Sequence, residues 1–111
     1  MILRNKEKQD ILVKMILIKR HRTPTRTIAA LCDKELVGKT FEDADKRLEV
    51  SKRFYGDKEA GEKEMLRICE GADDINFVGK ESVDFAVKNN YIEKGNIMVI
   101  KGVPYAICIK M

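Results

Sequence analysis

Two consecutive apolar runs of strand length near the C-terminus are the sequence feature that most restricts which folds this chain can adopt. N-I-M-V-I (96–100) and V-P-Y-A-I-C-I (103–109) are separated only by Lys101-Gly102, a short turn signal, and neither alternates polar with apolar residues. Strands of this kind usually lie in the middle of a sheet, with a layer over each face or with one face partly covered by a partner. The two runs therefore predict a hairpin within a sheet.

The remaining pattern predicts further strands and two helices. Ile16–Lys19 and Thr27–Cys32 flank the Pro-containing loop H-R-T-P-T-R and predict two neighbouring strands, while R-L-E-V (47–50) alternates like a short half-buried strand. Apolar residues at helical spacing predict helices at Lys58–Glu70 and Lys80–Asn90, and I-N-F-V-G between them predicts a core-filling connector. The expected fold class is α+β, a small antiparallel sheet with two main helices in a single domain.

A length of 111 residues fits one domain, expected over residues 15–111. Residues 1–14 have mixed charge and weak periodicity, which favours an N-terminal extension or arm, and Met15 offers an alternative start. No apolar stretch approaches the roughly 18 residues that cross a bilayer, and a signal peptide is not evident. We therefore expect no membrane association and a cytoplasmic location.

The cysteines and the single histidine do not suggest a metal or cofactor site. Cys32, Cys69 and Cys108 are widely spaced without a C-x-x-C motif, and His21 is the sole imidazole. Buried, reduced thiols are the favoured interpretation. Pairing of Cys32 with His21 across a hairpin is conceivable but is not required by the spacing, so the sequence favours a non-enzymatic protein without establishing it.

The tripeptide Gly38-Lys39-Thr40 resembles the end of a phosphate-binding loop. Such a loop needs G-x-x-x-x-G-K-[ST], because the first Gly lets the backbone amides surround the phosphates. Asp33 occupies that first position here, where its negative charge would oppose an anion. We therefore expect Asp33 to Lys39 to form a turn, with Gly38 available for a positive φ angle.

Positive charge is concentrated towards the N-terminus. Residues 1–26 contain eight basic and two acidic side chains, whereas the remainder contains fourteen basic and sixteen acidic ones. A basic end on a nearly neutral body is typical of proteins that bind polyanions, although a solvated basic arm is the alternative. The candidate nucleic-acid contacts are the basic hairpin, a nearby turn lysine and the K-R-F-Y segment: Lys19, Arg20, Arg22, Arg26, Lys39, Lys52, Arg53 and Tyr55.

Several separate stretches resemble one family. A-A-L-C-D-K-E-L-V-G-K-T-F, R-L-E-V-S-K-R-F-Y-G, N-F-V-G-K-E-S-V-D-F-A-V and I-K-G-V-P-Y-A are similar, in order, to the archaeal family catalogued as domain of unknown function 424. The resemblance covers about residues 15–111 and implies a small α+β domain without an established activity, suspected of RNA binding and a link to translation. It marks Cys32, Asp33, Gly38, Leu48, Val50, Phe54, Tyr55, Gly56, Val78, Gly79 and the turn Gly102-Val103-Pro104.

The functional expectation is a non-enzymatic protein that binds RNA, with ribosomal RNA as a candidate, through phosphate contacts from the basic hairpin. Among the residues that the resemblance marks, packing alone does not readily explain Cys32-Asp33 and the L-E-V-S-x-x-F-Y-G stretch. The resemblance therefore implies a second expected functional surface formed by Cys32, Asp33, Phe54 and Gly56. The alternative is a protein–protein adaptor or a homodimer, suggested by terminal strands that are apolar on both faces. An enzyme that uses Cys32 and Asp33 is the third hypothesis.

Overall fold

The structure is a computed structural model that describes residues 16–56 and 58–110. Eight strands, three helices and two 3-10 turns follow one another in this part of the chain. The strands are β1 (Ile16–Arg22), β2 (Thr27–Asp33), β3 (Thr40–Glu42), β4 (Arg47–Glu49), β5 (Lys58–Ala60), β6 (Asp74–Val78), β7 (Met98–Ile100) and β8 (Val103–Ile109). The helices are α1 (Lys52–Tyr55), α2 (Glu62–Glu70) and α3 (Lys80–Lys88), and the 3-10 turns span Lys34–Leu36 and Lys94–Asn96.

Six strands form one mixed sheet in the order β5-β1-β2-β6-β8-β7, and β3 and β4 form a separate hairpin. β2 and β6 are parallel, with Ile28 opposite Asp74, and the other neighbours are antiparallel. The expected α+β fold, a small antiparallel sheet with two main helices, is therefore wrong: the sheet is larger and mixed, and it accompanies three short helices. A parallel pair requires a long crossover between its strands, which local patterns do not reveal.

The run predicted to be a connector, I-N-F-V-G, is the central strand β6. Ile75 and Phe77 are fully buried on one face of the sheet, and Val78 is buried on the other. A short strand that is covered on both faces shows no polar–apolar alternation, so its periodicity does not distinguish it from a core-filling loop. The prediction that these apolar residues lie in the core is correct, but the predicted connector is wrong.

The sheet separates two hydrophobic cores. Helices α2 and α3 cover one face, where Leu31, Met65 and Phe77 are among the most deeply buried side chains. Part of the opposite face is covered by α1 and the β3–β4 hairpin, which enclose Cys32 and Val50. Successive residues of a strand point to opposite faces, so each central strand contributes side chains to both cores.

The predicted helix at Lys58–Glu70 begins four residues later than expected. Residues 58–60 pair with β1 as β5, and α2 begins at Glu62, with Met65 and Cys69 on its buried face. The helix ends before Gly71, as expected, and Lys110 Nζ donates to the carbonyl oxygens of its last two residues. A cation at this end of a helix is favourable, because the final carbonyls lack intrahelical partners.

The C-terminal hairpin is present, but it lies at an edge of the sheet. β7 pairs with β8 across the turn Lys101-Gly102, whose φ angles of 52° and 80° suit a tight hairpin turn. The expected position in the middle of the sheet is wrong for β7, which is the last strand, and correct for β8, which lies between β6 and β7. A layer over each face is not found, because Ile107 and Ile109 are exposed, and cover by a partner stays a prediction.

The expected N-terminal arm lies outside the described residues. The described strands and helices pack around one six-stranded sheet, and the single domain of residues 15–111 stays a prediction. Among the described residues, none of the helices has the length and apolar character that crossing a bilayer requires.

Candidate nucleic-acid interface

The end of β1 and the short helix α1 form one continuous surface. Lys19 Nζ donates to the carbonyl oxygen of Arg53 at 2.7 Å, and His21 Nε2 lies 2.7 Å from the carbonyl oxygen of Phe54. The His21 and Phe54 rings also stack, with centroids 4.5 Å apart and an interplanar angle of 11°. The structure therefore brings together the basic hairpin and the K-R-F-Y segment, two regions that are separate in sequence.

Local sequence explains how α1 reaches β1. The Ser51 hydroxyl accepts a hydrogen bond from Phe54 N–H and caps the helix, a common role of serine at this position. Gly56 has a φ of +87°, and a Cβ there would lie 2.7 Å from the Ile18 carbonyl oxygen and 2.7 Å from Lys19 Cβ. Only glycine allows the chain to leave α1 so close to β1.

The aromatic pair of α1 faces inwards rather than towards solvent. Tyr55 is only 6% exposed and packs in the core beneath α1. Burial, with a smaller contribution from Cys32, raises the pKa of Tyr55 to about 12. Phe54 is half-buried and stacked on His21, so neither ring presents a free face of the kind on which a nucleic-acid base stacks.

Cys32 lies in the same core as Tyr55, with no exposed surface. Burial, with smaller contributions from Asp33 and Glu35, raises the pKa of its thiol to about 12. A nucleophilic cysteine needs the opposite environment, because the thiolate is the reactive form. His21 contacts Phe54 rather than Cys32, so the geometry does not favour a Cys–His catalytic pair.

Asp33 has a structural role that its position in sequence did not reveal. Its side chain is buried, and the carboxylate accepts hydrogen bonds from Glu81 N–H, Ser82 N–H and the Ser82 hydroxyl at 3.0, 2.9 and 2.8 Å. These groups belong to the first turn of α3, where backbone donors have no helical partners. Asp33 thereby caps a helix that begins about fifty residues later in the chain.

The basic residues differ in how far they are neutralised. Arg20, Arg22, Lys52 and Arg53 are exposed, and none forms an ion pair with a described carboxylate. Arg26, in contrast, makes a bidentate contact with Asp74, and this hydrogen bonding holds the pKa of the Asp74 carboxyl below its usual range. The charge of Arg26 is therefore largely compensated.

Lys39 does not join the hairpin tip as expected. It follows the end of β2 that is opposite the tip, and its carbonyl oxygen accepts a hydrogen bond from Val50 N–H. Gly38, with a φ of +91°, donates to the Val50 carbonyl oxygen, so these residues form a turn that leads into β3. A phosphate-binding loop would lead into a helix instead.

Two basic residues that the sequence did not single out lie beside Arg20. A groove of about 400 Å³ between β1, β5 and α2 is lined by Ile18, Lys19, Arg20, Lys58, Glu64, Arg67 and Ile68. Glu64 forms an ion pair with Lys58 at 2.8 Å, and Arg67 has no described acidic partner. We call the following residues the basic surface: Lys19, Arg20, Arg22, Lys52, Arg53, Lys58 and Arg67.

Sequence comparison gives the chain a family. The family model described as "Protein of unknown function (DUF424)" matches residues 21–111. The chain belongs to this family. The resemblance found in the sequence is thereby confirmed, and the description of DUF424 assigns no activity to its members. No curated protein matches the chain.

The fold of this DUF424 protein is similar to a solved structure from an archaeon. The crystal structure of an uncharacterized conserved protein from Methanopyrus kandleri superimposes with a TM-score of 0.70. The two sequences are 21% identical, and the match covers 86% of this chain and 93% of the other. At this identity the similarity establishes a shared fold.

Proposed function

We propose that this protein binds RNA through the basic surface, principally by contacts with phosphates. The supporting observation is that Arg20 of β1 and Arg67 of α2, which form no ion pair with a described carboxylate, line one groove although they are far apart in sequence. Lys19, which also lines the groove, contacts α1, and α1 carries the exposed Lys52 and Arg53. Arginine suits such a site because its guanidinium group donates paired hydrogen bonds to phosphate oxygens. Ribosomal RNA is the first candidate, since the family resemblance implies a link to translation.

The shape of the groove also supports the proposal. Its lining combines the apolar side chains of Ile18 and Ile68 with the guanidinium-bearing residues Arg20 and Arg67. A phosphate and its sugar could lie between the two guanidinium groups, with the two isoleucines against the less polar part of the nucleotide. Because most of the contacts would be electrostatic, affinity should fall steeply as the salt concentration rises.

The test compares two triple variants with the same change in net charge. Arg20→Ala, Arg22→Ala and Arg67→Ala together remove charges from the basic surface. The control is Lys46→Ala, Lys88→Ala and Lys94→Ala. It removes three exposed charges that lie outside the basic surface and have no described ion pair. Filter binding to ribosomal RNA over a range of salt concentrations would measure the affinity and its salt dependence.

The proposal predicts that the basic-surface variant binds at least tenfold more weakly at low salt than the control. Its logarithmic salt slope should also be smaller by about 2, because each lost phosphate contact removes somewhat less than 1. Equal losses in both variants would indicate a non-specific effect of net charge and would contradict the proposal. Wild-type protein that does not bind ribosomal RNA would contradict it directly.

A further inference from the structure

Strand β8 has an unpaired outer edge over its last four residues. β6 pairs with one side of β8 from Tyr105 to Ile109, whereas β7 pairs with the other side only from Val103 to Tyr105. No described strand pairs with the outer side of residues 106–109. Backbone N–H and C=O groups along such an edge can pair with another strand.

The side chains on this edge are unusually apolar for an exposed strand. Among the described residues, all of the exposed large hydrophobic side chains belong to β7 and β8: Met98 is 37% exposed, Val99 53%, Ile107 49% and Ile109 63%. Natural proteins commonly protect open edges with charged residues, but β8 contains none. Lys110, which follows β8, directs its ammonium group to the end of α2 instead.

The opposite side of the sheet provides a direct contrast. Among the described residues, β5 pairs with β1 from Ile16 to Ile18, and no described strand pairs with the outer side of residues 19–22. That segment reads K-R-H-R and carries three of the charged residues of the basic surface. One open edge is therefore protected by charge, and the other is uncharged and apolar.

We propose that a second copy of this chain pairs with the outer edge of β8, antiparallel and about a twofold axis. An antiparallel strand pair can be symmetric, so an uncharged apolar edge is complementary to itself. Centring the axis on Cys108 places Ile107 of each copy opposite Ile109 of the other, with both side chains kept on the same face. The edge has no charge that would recognise an acidic or basic partner, and this favours a second copy.

The distribution of charge also favours this arrangement. Each chain has a formal net charge of +4, and its basic surface lies at the β1 and β5 end of the sheet, separated from β7 by β2, β6 and β8. Pairing through β8 keeps the two basic surfaces at opposite ends of a continuous sheet, where they repel each other least. If the proposed RNA binding also holds, the dimer would present two RNA-binding surfaces.

Sedimentation velocity without RNA tests the dimer, so its outcome is separate from that of RNA binding. Wild-type protein should sediment as a dimer in the micromolar range, and Ile107→Lys with Ile109→Lys should sediment as a monomer. Thr40→Lys with Ala44→Lys is the matched control, because it adds two charges at exposed positions of the β3–β4 hairpin and should remain dimeric. The variant Arg20→Ala, Arg22→Ala, Arg67→Ala should also remain dimeric.

Ile107→Thr with Ile109→Thr gives a second comparison that keeps β-branched residues, and hence strand propensity, in β8. It should raise the dimer dissociation constant at least tenfold, with an unchanged circular dichroism spectrum. A wild-type protein that is monomeric at every concentration would overturn the proposal. A dimer that persists unchanged in both folded β8 variants would also overturn it, because the contact would then lie elsewhere.

Discussion

The carboxylate of Asp33 accepts three hydrogen bonds from the start of α3 while its side chain is almost completely buried. A buried carboxylate is stable only when its oxygens are satisfied, and here backbone and hydroxyl donors satisfy them. The hydrogen bonds link the end of β2 to a helix about fifty residues away. The aspartate at position 33 is therefore explained by its structural role as the cap of α3, without a role in binding.

We predict that Asp33→Ala lowers the free energy of unfolding by about 3 kcal/mol, because it leaves several donors of α3 buried without an acceptor. Asp84→Ala is the control, since Asp84 is an exposed carboxylate on the same helix and its loss should change stability by less than about 0.5 kcal/mol. Urea unfolding of both variants provides the measurement. Equal stability of the two variants would show that the hydrogen bonds contribute little.

At the scale of elements, the joint between β6 and α3 depends on one glycine. Gly79 precedes α3 with a φ of +103°, and a Cβ there would lie 2.3 Å from Cγ of Asp33. Its N–H also donates to the Pro104 carbonyl oxygen at 2.8 Å, so this backbone is held on both sides. The V-G-K sequence at this point therefore has a packing explanation: glycine allows the capping carboxylate to approach the helix.

Three glycine variants should separate backbone strain from steric overlap. Gly95→Ala should be nearly neutral, and Gly102→Ala, at φ +80° in open space, should cost about 1 kcal/mol from backbone strain. Gly79→Ala should cost about 3 kcal/mol or more, because strain and overlap with Asp33 combine. Thermal or urea unfolding would measure the series. Similar losses for Gly79→Ala and Gly102→Ala would show that the overlap is relieved without cost.

Sequence patterns predicted many of the strands and helices but fewer of the pairings between strands. The β1–β2 and β7–β8 hairpins are correct because each depends on a short loop with recognisable turn residues. The assignments of residues 58–60 and of β6 were wrong, because both segments acquire strand structure from partners distant in sequence. The helical spacing of apolar residues suggested that residues 58–60 belong to the following helix. They form strand β5 instead, because hydrogen bonding to β1 outweighs their local conformational preference.

At the scale of the whole molecule, ionisable groups are buried in both cores. Cys32 and Tyr55 lie on one side of the sheet and Cys69 on the other, and burial raises the pKa of each to about 12. In the unfolded chain the thiols lose their protons near 9 and the phenol near 10. Above pH 9 the folded state therefore binds more protons than the unfolded state.

Stability should consequently decline as pH rises above about 9, by up to about 1.4 kcal/mol per pH unit for each fully protected group. The direction follows from the raised folded pKa values, because a higher pH favours the state that releases protons. Urea midpoints measured between about pH 8 and pH 11 would test the trend. Cys69→Ala should reduce the slope, and an unchanged midpoint over this range would contradict the prediction.

For the candidate site, the sequence shows that basic residues are concentrated near β1. It does not show which of those basic side chains are free of ion pairs in the folded protein. Arg26 looked equivalent to Arg20 until its contact with Asp74 was known. Arg67 could not be assigned to the surface, because the side of the sheet that α2 covers is decided by packing. Its exposed position on an amphipathic helix was the only local signal.

The sequence by itself determined the family, the β1–β2 and β7–β8 hairpins, the extent of α3 to within two residues and the excess of positive charge near β1. These properties depend on residue identity or on contacts between neighbours in the chain. Only the tertiary structure decided the parallel pairing of β2 with β6, the capping of α3 by Asp33 and the membership of the basic surface. Each of these depends on residues about 30 or more positions apart, whose contacts form only when both cores are packed.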